Sequence, residues 1–113
     1  MNLGDICWFT PPPASGRVQQ GRRPGIIWQD SILFPNLPTT LAIPLTSQQA
    51  ALRFGGTHLI QPSARNKLAV PSVALVFQLA AVDVRDIGAK FGEIDDPDIA
   101  VLRELTRRLT GIP

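Results

Sequence analysis

The 113 residues carry 44% hydrophobic and 18% charged side chains and a formal net charge of +2, a balance that excludes wholesale disorder and predicts one compact domain with a packed core. So small a charge excludes the coating of long nucleic acid by electrostatics alone and leaves local clamps as the way to hold a polyanion. No apolar stretch approaches the roughly twenty residues that span a bilayer, and no basic region precedes an apolar segment at the N-terminus, so a cytoplasmic protein with no membrane partner is expected.

In chain order, Ile6, Cys7, Trp8 and Phe9 form an apolar, β-favouring run that predicts a strand over residues 4–10, stopped by Pro11-Pro12-Pro13. Cys7 is the only cysteine and cannot close an internal disulfide, so a buried structural thiol is expected. Residues 11–21 hold prolines, glycines, Ser15, Gln19 and Gln20 and cannot supply a core face. They read as an exposed loop long enough to grip a substrate. A second strand is predicted over 23–29 and a third over 39–46, where Leu41, Ile43 and Leu45 alternate with Ala42 and Pro44. Pro44 lacks a ladder donor, so an edge or bulge is expected there, re-aiming Thr46. Further strands are predicted over 57–61, 72–83 and 90–94. The last element is a helix: Asp95 or Asp96 as N-cap, Pro97 at the first helical position, Ile99, Leu102, Leu105 and Leu109 on one face, Gly111 as the stop. Short strands separated by turn signals predict a small barrel or sandwich closed by that helix.

Two segments carry the chemistry. Gly21-Arg22-Arg23-Pro24 opens the second strand, and Ile43-Pro44-Leu45-Thr46-Ser47 ends the third, which puts arginines and hydroxyls at the ends of two neighbouring strands. A guanidinium fork matches phosphate in two-point hydrogen bonds and a threonine hydroxyl can add a third, so the pair reads as a phosphodiester clamp. Other candidates read as structural. His58, between Thr57 and Leu59, is expected to be a structural or surface histidine, and Asp83 to cap a turn. One histidine and one cysteine far apart lack metal-ligand spacing, and Gly55-Gly56 lacks the lysine and helix of a phosphate loop. No metal and no cofactor are expected.

The blocks Gly4-Asp5-Ile6-Cys7-Trp8, Gly21-Arg22-Arg23-Pro24, Pro44-Leu45-Thr46-Ser47, Ser72 to Leu79, Val82-Asp83 and Ile87-Gly88, followed by a terminal helix, resemble in order and spacing the MazF/PemK family of bacterial toxin endoribonucleases. The resemblance implies a mainly β fold with a C-terminal helix, an SH3-like small barrel. It implies a homodimer that cleaves single-stranded RNA at selected sequences without a metal, through attack of the ribose 2′-OH, leaving a 2′,3′-cyclic phosphate and a 5′-OH. It implies a MazE-like antitoxin whose acidic tail occupies the RNA groove, with DNA met only indirectly through that antitoxin. Arg23 and Thr46 fall on the family's catalytic arginine and threonine. Arg17, Gln19, Gln20, Arg22, Ser47 and Gln78 are the expected RNA contacts. Aligned on Gln78 and Asp83, the chain has Leu75 and Phe77 where Kid/PemK-type members carry an arginine and an acidic residue; the MazF branch lacks the arginine but commonly keeps the aspartate. The alternative is a homologue that binds RNA without cutting it, or gyrase like CcdB. CcdB-type poisons carry a tryptophan near the C-terminus, whereas Trp8 and Trp28 lie far from the Thr110-Gly111-Ile112-Pro113 end of this chain.

Overall fold

A computed structural model describes residues 1–10 and 22–113; the predicted loop 11–21, with Arg17, Gln19 and Gln20, lies outside the described residues. Among the described residues, seven antiparallel strands, β1 (Asp5–Phe9), β2 (Arg23–Ile27), β3 (Thr39–Thr46), β4 (Thr57–Ile60), β5 (Ser72–Leu75), β6 (Ala80–Asp83) and β7 (Ile87–Glu93), precede one α-helix, α1 (Asp96–Leu109). They are ordered β4-β5-β3-β2-β1-β7, with β6 also paired to β3. Because β3 serves two half-sheets, the apolar faces of both turn inward. Ile6, Ile26, Ile43, Leu45, Ile60, Ala74 and Val76 meet Ile94 and Leu102 in one core. This is the mainly β, helix-closed architecture expected from the residues.

β3 departs from its sequence reading in one respect. It is a central strand, and Pro44 lies neither at an edge nor in a bulge. Leu41 accepts a hydrogen bond from the Trp28 amide at 2.9 Å, so the odd-numbered residues of β3 turn their backbone toward β2 and the even-numbered ones away from it. On that far side the ladder to β6 ends at Ala42↔Ala80 and the ladder to β5 begins at Leu45↔Ala74. Pro44 sits in the gap, where no donor is required. Leu41 is also not a core residue: it is 38% exposed, while Ala42 is buried.

The same handover breaks the strand predicted over 72–83. β5 stops at Leu75, a 3₁₀ turn Val76–Gln78 follows, and β6 starts at Ala80. Val73, Leu75, Phe77 and Leu79 therefore do not form one apolar face. Val73 is fully buried, whereas Phe77 is 40% exposed and stacks on Phe54 with ring centroids 5.5 Å apart. The strand predicted over 90–94 begins earlier, at Ile87, and its register against β1 shifts between Ile6 and Cys7 and again between Cys7 and Phe9.

α1 docks through Leu102, which is fully buried, with Ile99 and Leu105 beside it; Leu109 is exposed rather than part of the packed stripe. The helix ends in a Schellman arrangement: the Ile112 amide bonds the Arg107 carbonyl, the Gly111 amide bonds that of Arg108, and Gly111 takes φ +72°. Asp95 holds the N-cap position without capping. Its carboxylate is engaged elsewhere, accepting from Ser63 Oγ at 2.6 Å and Asn66 Nδ2 at 3.4 Å. His58 Nε2 lies 2.7 Å from Asp98 Oδ1 and ties β4 to α1.

β4 and β7, the ends of the strand order, are joined by the turn that follows β4. The Glu93 amide donates to the Arg65 carbonyl at 3.1 Å. Asn66, fully buried, accepts from the Ser63 and Leu68 amides and donates to the Gln61 carbonyl. Gly92 permits this approach, since a Cβ there would stand 2.1 Å from the Asn66 carbonyl oxygen.

Candidate functional site

Arg23 begins β2 and Thr46 ends β3. Their strands pair through Ile27↔Ala42, Ile26↔Ile43 and Gly25↔Pro44; continued two residues, that register sets Arg23 opposite Thr46. The backbone parity set by Trp28 and Leu41 makes this a non-hydrogen-bonded position, where facing side chains lie closest. Between the last bridged pair and this one stands Pro24, which has no N–H to give Leu45. The ladder ends there and a groove opens.

That groove, about 510 Å³, is lined by Arg23, Thr46, Ser47, Gln48 and Lys67 over an apolar floor that includes Trp8, Leu68 and Phe91. Among the described residues, two cations and no carboxylate line it. The Thr46 hydroxyl accepts the Gln48 amide at 3.1 Å, which fixes its oxygen and leaves its proton to donate outward. Arg23 is exposed and, among the described residues, makes no ion pair. Its neighbour Arg22 is engaged differently, with its guanidinium carbon 5.0 Å from the centre of the Trp8 ring. Trp8 in turn stacks on Phe91 at 4.8 Å.

A second groove of about 360 Å³ lies on the other side of Arg23 and Pro24, lined also by Phe9, Pro44, Gln78, Ala80, Asp83 and Asp86. The proposed contacts thus divide: Ser47 shares the groove of Thr46, Gln78 does not, and Arg23 borders both. Asp83 caps the turn after β6, accepting from the Arg85 amide at 2.8 Å. Hydrogen bonds from the Arg85 side chain and amide hold its carboxyl down at about 2, which suits it poorly to take a proton near neutrality. Phe77 lines neither groove; it borders a separate hollow with Leu79, Thr106 and Leu109. Cys7 is buried, and that burial, more than the nearby Asp5 charge, pushes its thiol up from the ordinary value. No group of three His, Cys, Asp or Glu side chains able to hold a metal occurs among the described residues. No helix of the described residues is long and apolar enough to cross a membrane.

The profile of the family described as PemK-like, MazF-like toxin of type II toxin-antitoxin system matches residues 2–110. The chain belongs to that family. Endoribonuclease activity is the known function of PemK/MazF toxins. Solved structures share the fold. The toxin MazF-mt6 of Mycobacterium tuberculosis superposes with a TM-score of 0.75 at 18% identity, over 96% of this chain and 98% of that one. A MazE–MazF structure from Deinococcus radiodurans gives 0.78 at 21% identity, over 100% and 97%. An endoribonuclease in complex with its cognate antitoxin, from a mycobacterial species, gives 0.77 at 13% identity, over 100% and 97%. No curated protein matches the chain by sequence.

Two polar residues of the groove, Gln48 and Lys67, were not marked in the sequence of this PemK/MazF chain. Lys67 stands between buried Asn66 and buried Leu68 and takes φ +55°, a left-handed conformation that costs a side-chain-bearing residue about 1 kcal/mol or more. Ser63 and Asn66 are turn-forming residue types, but nothing local says that the turn folds over toward Arg23.

Proposed function

We propose that this chain is a metal-independent, sequence-selective endoribonuclease acting on single-stranded RNA in the cytoplasm, and that residues 1–113 form one toxin domain. The observation that carries the reading is the facing pair Arg23 and Thr46 over a groove whose described lining residues include no carboxylate. A scissile phosphate seated there would receive two parallel hydrogen bonds from the Arg23 guanidinium and a third from the Thr46 hydroxyl on its nonbridging oxygens. As the ribose 2′-oxygen attacks phosphorus, negative charge grows on those oxygens, and donors already in place lower the barrier. The bond from phosphorus to the 5′-oxygen then breaks, leaving a 2′,3′-cyclic phosphate, and the departing oxygen takes a proton from water, assisted by the Arg23 guanidinium, to become a 5′-OH. The 2′-OH proton passes to solvent water rather than to either residue, since an arginine stays protonated and the Thr46 hydroxyl serves as a donor to the phosphate. Among the described residues lining the groove there is no carboxylate or imidazole, and His58 is held by Asp98.

Ser47, Arg22, Gln78 and the segment with Arg17, Gln19 and Gln20 are proposed to read RNA around this point, by edge hydrogen bonds and stacking on splayed bases. We also infer a homodimer and a small antitoxin of the MazE type with an acidic tail; the complexes solved for the Deinococcus and mycobacterial proteins support such a partner. DNA would be met only through it.

The test is cleavage of a mixed-sequence RNA pool in the presence of chelator, with cut sites mapped by sequencing. Arg23→Ala is expected to lower kcat/KM by about 10²–10³ while leaving the far-UV spectrum and Tm unchanged. An unmutated protein that cuts no RNA in the pool overturns the reading.

A further inference from the structure

We propose that Lys67 is a second phosphate contact, gripping the RNA backbone next to the linkage held by Arg23 and Thr46. The inference rests on the endoribonuclease reading above and deepens it. Lys67 lines the same groove as those two residues but comes from a different part of the fold: they lie on the central strands β2 and β3, whereas it belongs to the turn after β4 that bonds to β7. Its backbone is held in the left-handed region at φ +55°, where glycine is the unstrained choice. A lysine retained at such a position points to work done by its side chain, because strained backbone is kept where the surroundings enforce it and function uses it.

The surroundings do enforce it. Asn66 is fully buried and bonded to Ser63, Leu68, Gln61 and Asp95. Leu68 is buried in the core. With both neighbours fixed, the Lys67 stem can leave the turn only outward, toward the groove it lines. Among the described residues the ammonium has no ion-pair partner, and no acidic residue lines the groove to neutralise it. A solvated, mobile lysine on an ordinary surface turn would need none of this. A point charge set on a rigid turn across a groove from an arginine fork suits a polyanion whose phosphates repeat along the chain.

The experiment compares the unmutated protein with Lys67→Gly, Lys67→Glu and Lys67→Arg. The probe for binding is a short mixed-sequence single-stranded RNA, 2′-O-methylated so that it cannot be cut, titrated across a range of salt concentrations. Cleavage of the unmethylated RNA gives KM and kcat separately. Lys67→Gly relieves the backbone and is expected to leave Tm unchanged or raise it by up to about 4 °C. The same variant should weaken RNA binding about tenfold at low salt and reduce the slope of log affinity against log salt by about 0.7, one phosphate contact on a single strand. KM should rise with kcat little altered; Lys67→Glu should weaken binding further, and Lys67→Arg should restore it. A merely structural lysine would give the Tm change without the change in salt slope. If the unmutated protein cuts RNA but Lys67→Gly and Lys67→Glu bind with its affinity and slope, the Lys67 contact is overturned and the nuclease reading stands. If the unmutated protein neither binds nor cuts RNA, both fall.

Discussion

Arg23 and Thr46 face each other across β2 and β3 one step beyond Pro24, where the missing proline N–H ends the ladder between the two strands. The groove lies at that break, and the non-hydrogen-bonded position sets the two facing side chains close together. The geometry of the proposed clamp thus follows from a backbone defect.

The role of the hydroxyl is separable from its packing. Thr46→Val keeps the β-branched shape but removes both the outward donor and the acceptor for the Gln48 amide. A hydrogen bond to a charged oxygen contributes about 1.5–3 kcal/mol, so kcat/KM for RNA cleavage should fall by about 10- to 100-fold. Thr46→Ser restores the donor and should recover most of that loss. Equal activity in the Thr46→Val and Thr46→Ser proteins would remove Thr46 from the clamp.

Phe77 stands where the family resemblance implies an acidic residue, yet it packs on Phe54 and borders neither groove at Arg23. Phe77→Asp should leave kcat/KM within about threefold, and it should lower stability by about 1 kcal/mol through loss of the aromatic pair. Denaturant melts and initial rates on one RNA check both. A change in kcat/KM of more than about tenfold, equivalent to 1.4 kcal/mol, would mean that position 77 reaches substrate.

The strands over 5–9, 23–27 and 39–46 and the terminal helix were legible in the sequence because their signals are local: apolar alternation, proline stops and a glycine after the last turn. The residues proposed as a clamp were marked in the sequence by local signals as well, an adjacent Pro24 and a nearby Pro44. The break inside 72–83 was not. Apolar alternation continues through Val76, Phe77 and Leu79, and what ends β5 is the availability of β3, which is already paired with β6 along Thr39–Ala42. Lys67 was hidden likewise: local bonds of Asn66 to Ser63, Gln61 and Leu68 shape its turn, but the seat of that turn against Asp95, 29 residues away, and against Gly92, which has no side chain, is non-local. Non-local pairing and close backbone approach leave no periodic trace.

Acid should loosen α1 before it touches the clamp. Hydrogen bonds from Arg107 first, then Arg108, hold the Glu104 carboxyl at about 2, below its ordinary 4.5. A group whose folded value is depressed contributes stability above its unfolded value and loses it as pH falls toward the folded one. The contribution of Glu104 is therefore present above about pH 4.5 and disappears toward pH 2, and its exposure keeps it small. Thermal melts from pH 6 to pH 2 should show a shallower acid decline for Glu104→Gln than for the unmutated protein. Parallel curves would mean that the arginines do not engage Glu104 in solution.

The turn carrying Lys67 stands on Gly92. A methyl group there would be placed 2.1 Å from the Asn66 carbonyl oxygen, with the carbonyl carbon at 2.7 Å. Both are backbone atoms of a residue bonded on several sides, so neither can step aside as the tip of a flexible side chain could. Gly92→Ala should therefore push the turn off β7, break the Glu93 to Arg65 backbone bond and expose Asn66. Overpacking of this kind costs about 1–3 kcal/mol and occasionally more, and the buried polar groups left without partners add to it. Urea melts should place Gly92→Ala at least about 3 kcal/mol below the unmutated protein. Gly55→Ala, where a Cβ meets nothing within 4 Å, is the matched control and should fall within about 1 kcal/mol of it. In the surviving folded fraction of Gly92→Ala, displacement of Lys67 should raise KM for RNA more than it lowers kcat, because Arg23 and Thr46 belong to strands that the displaced turn does not carry.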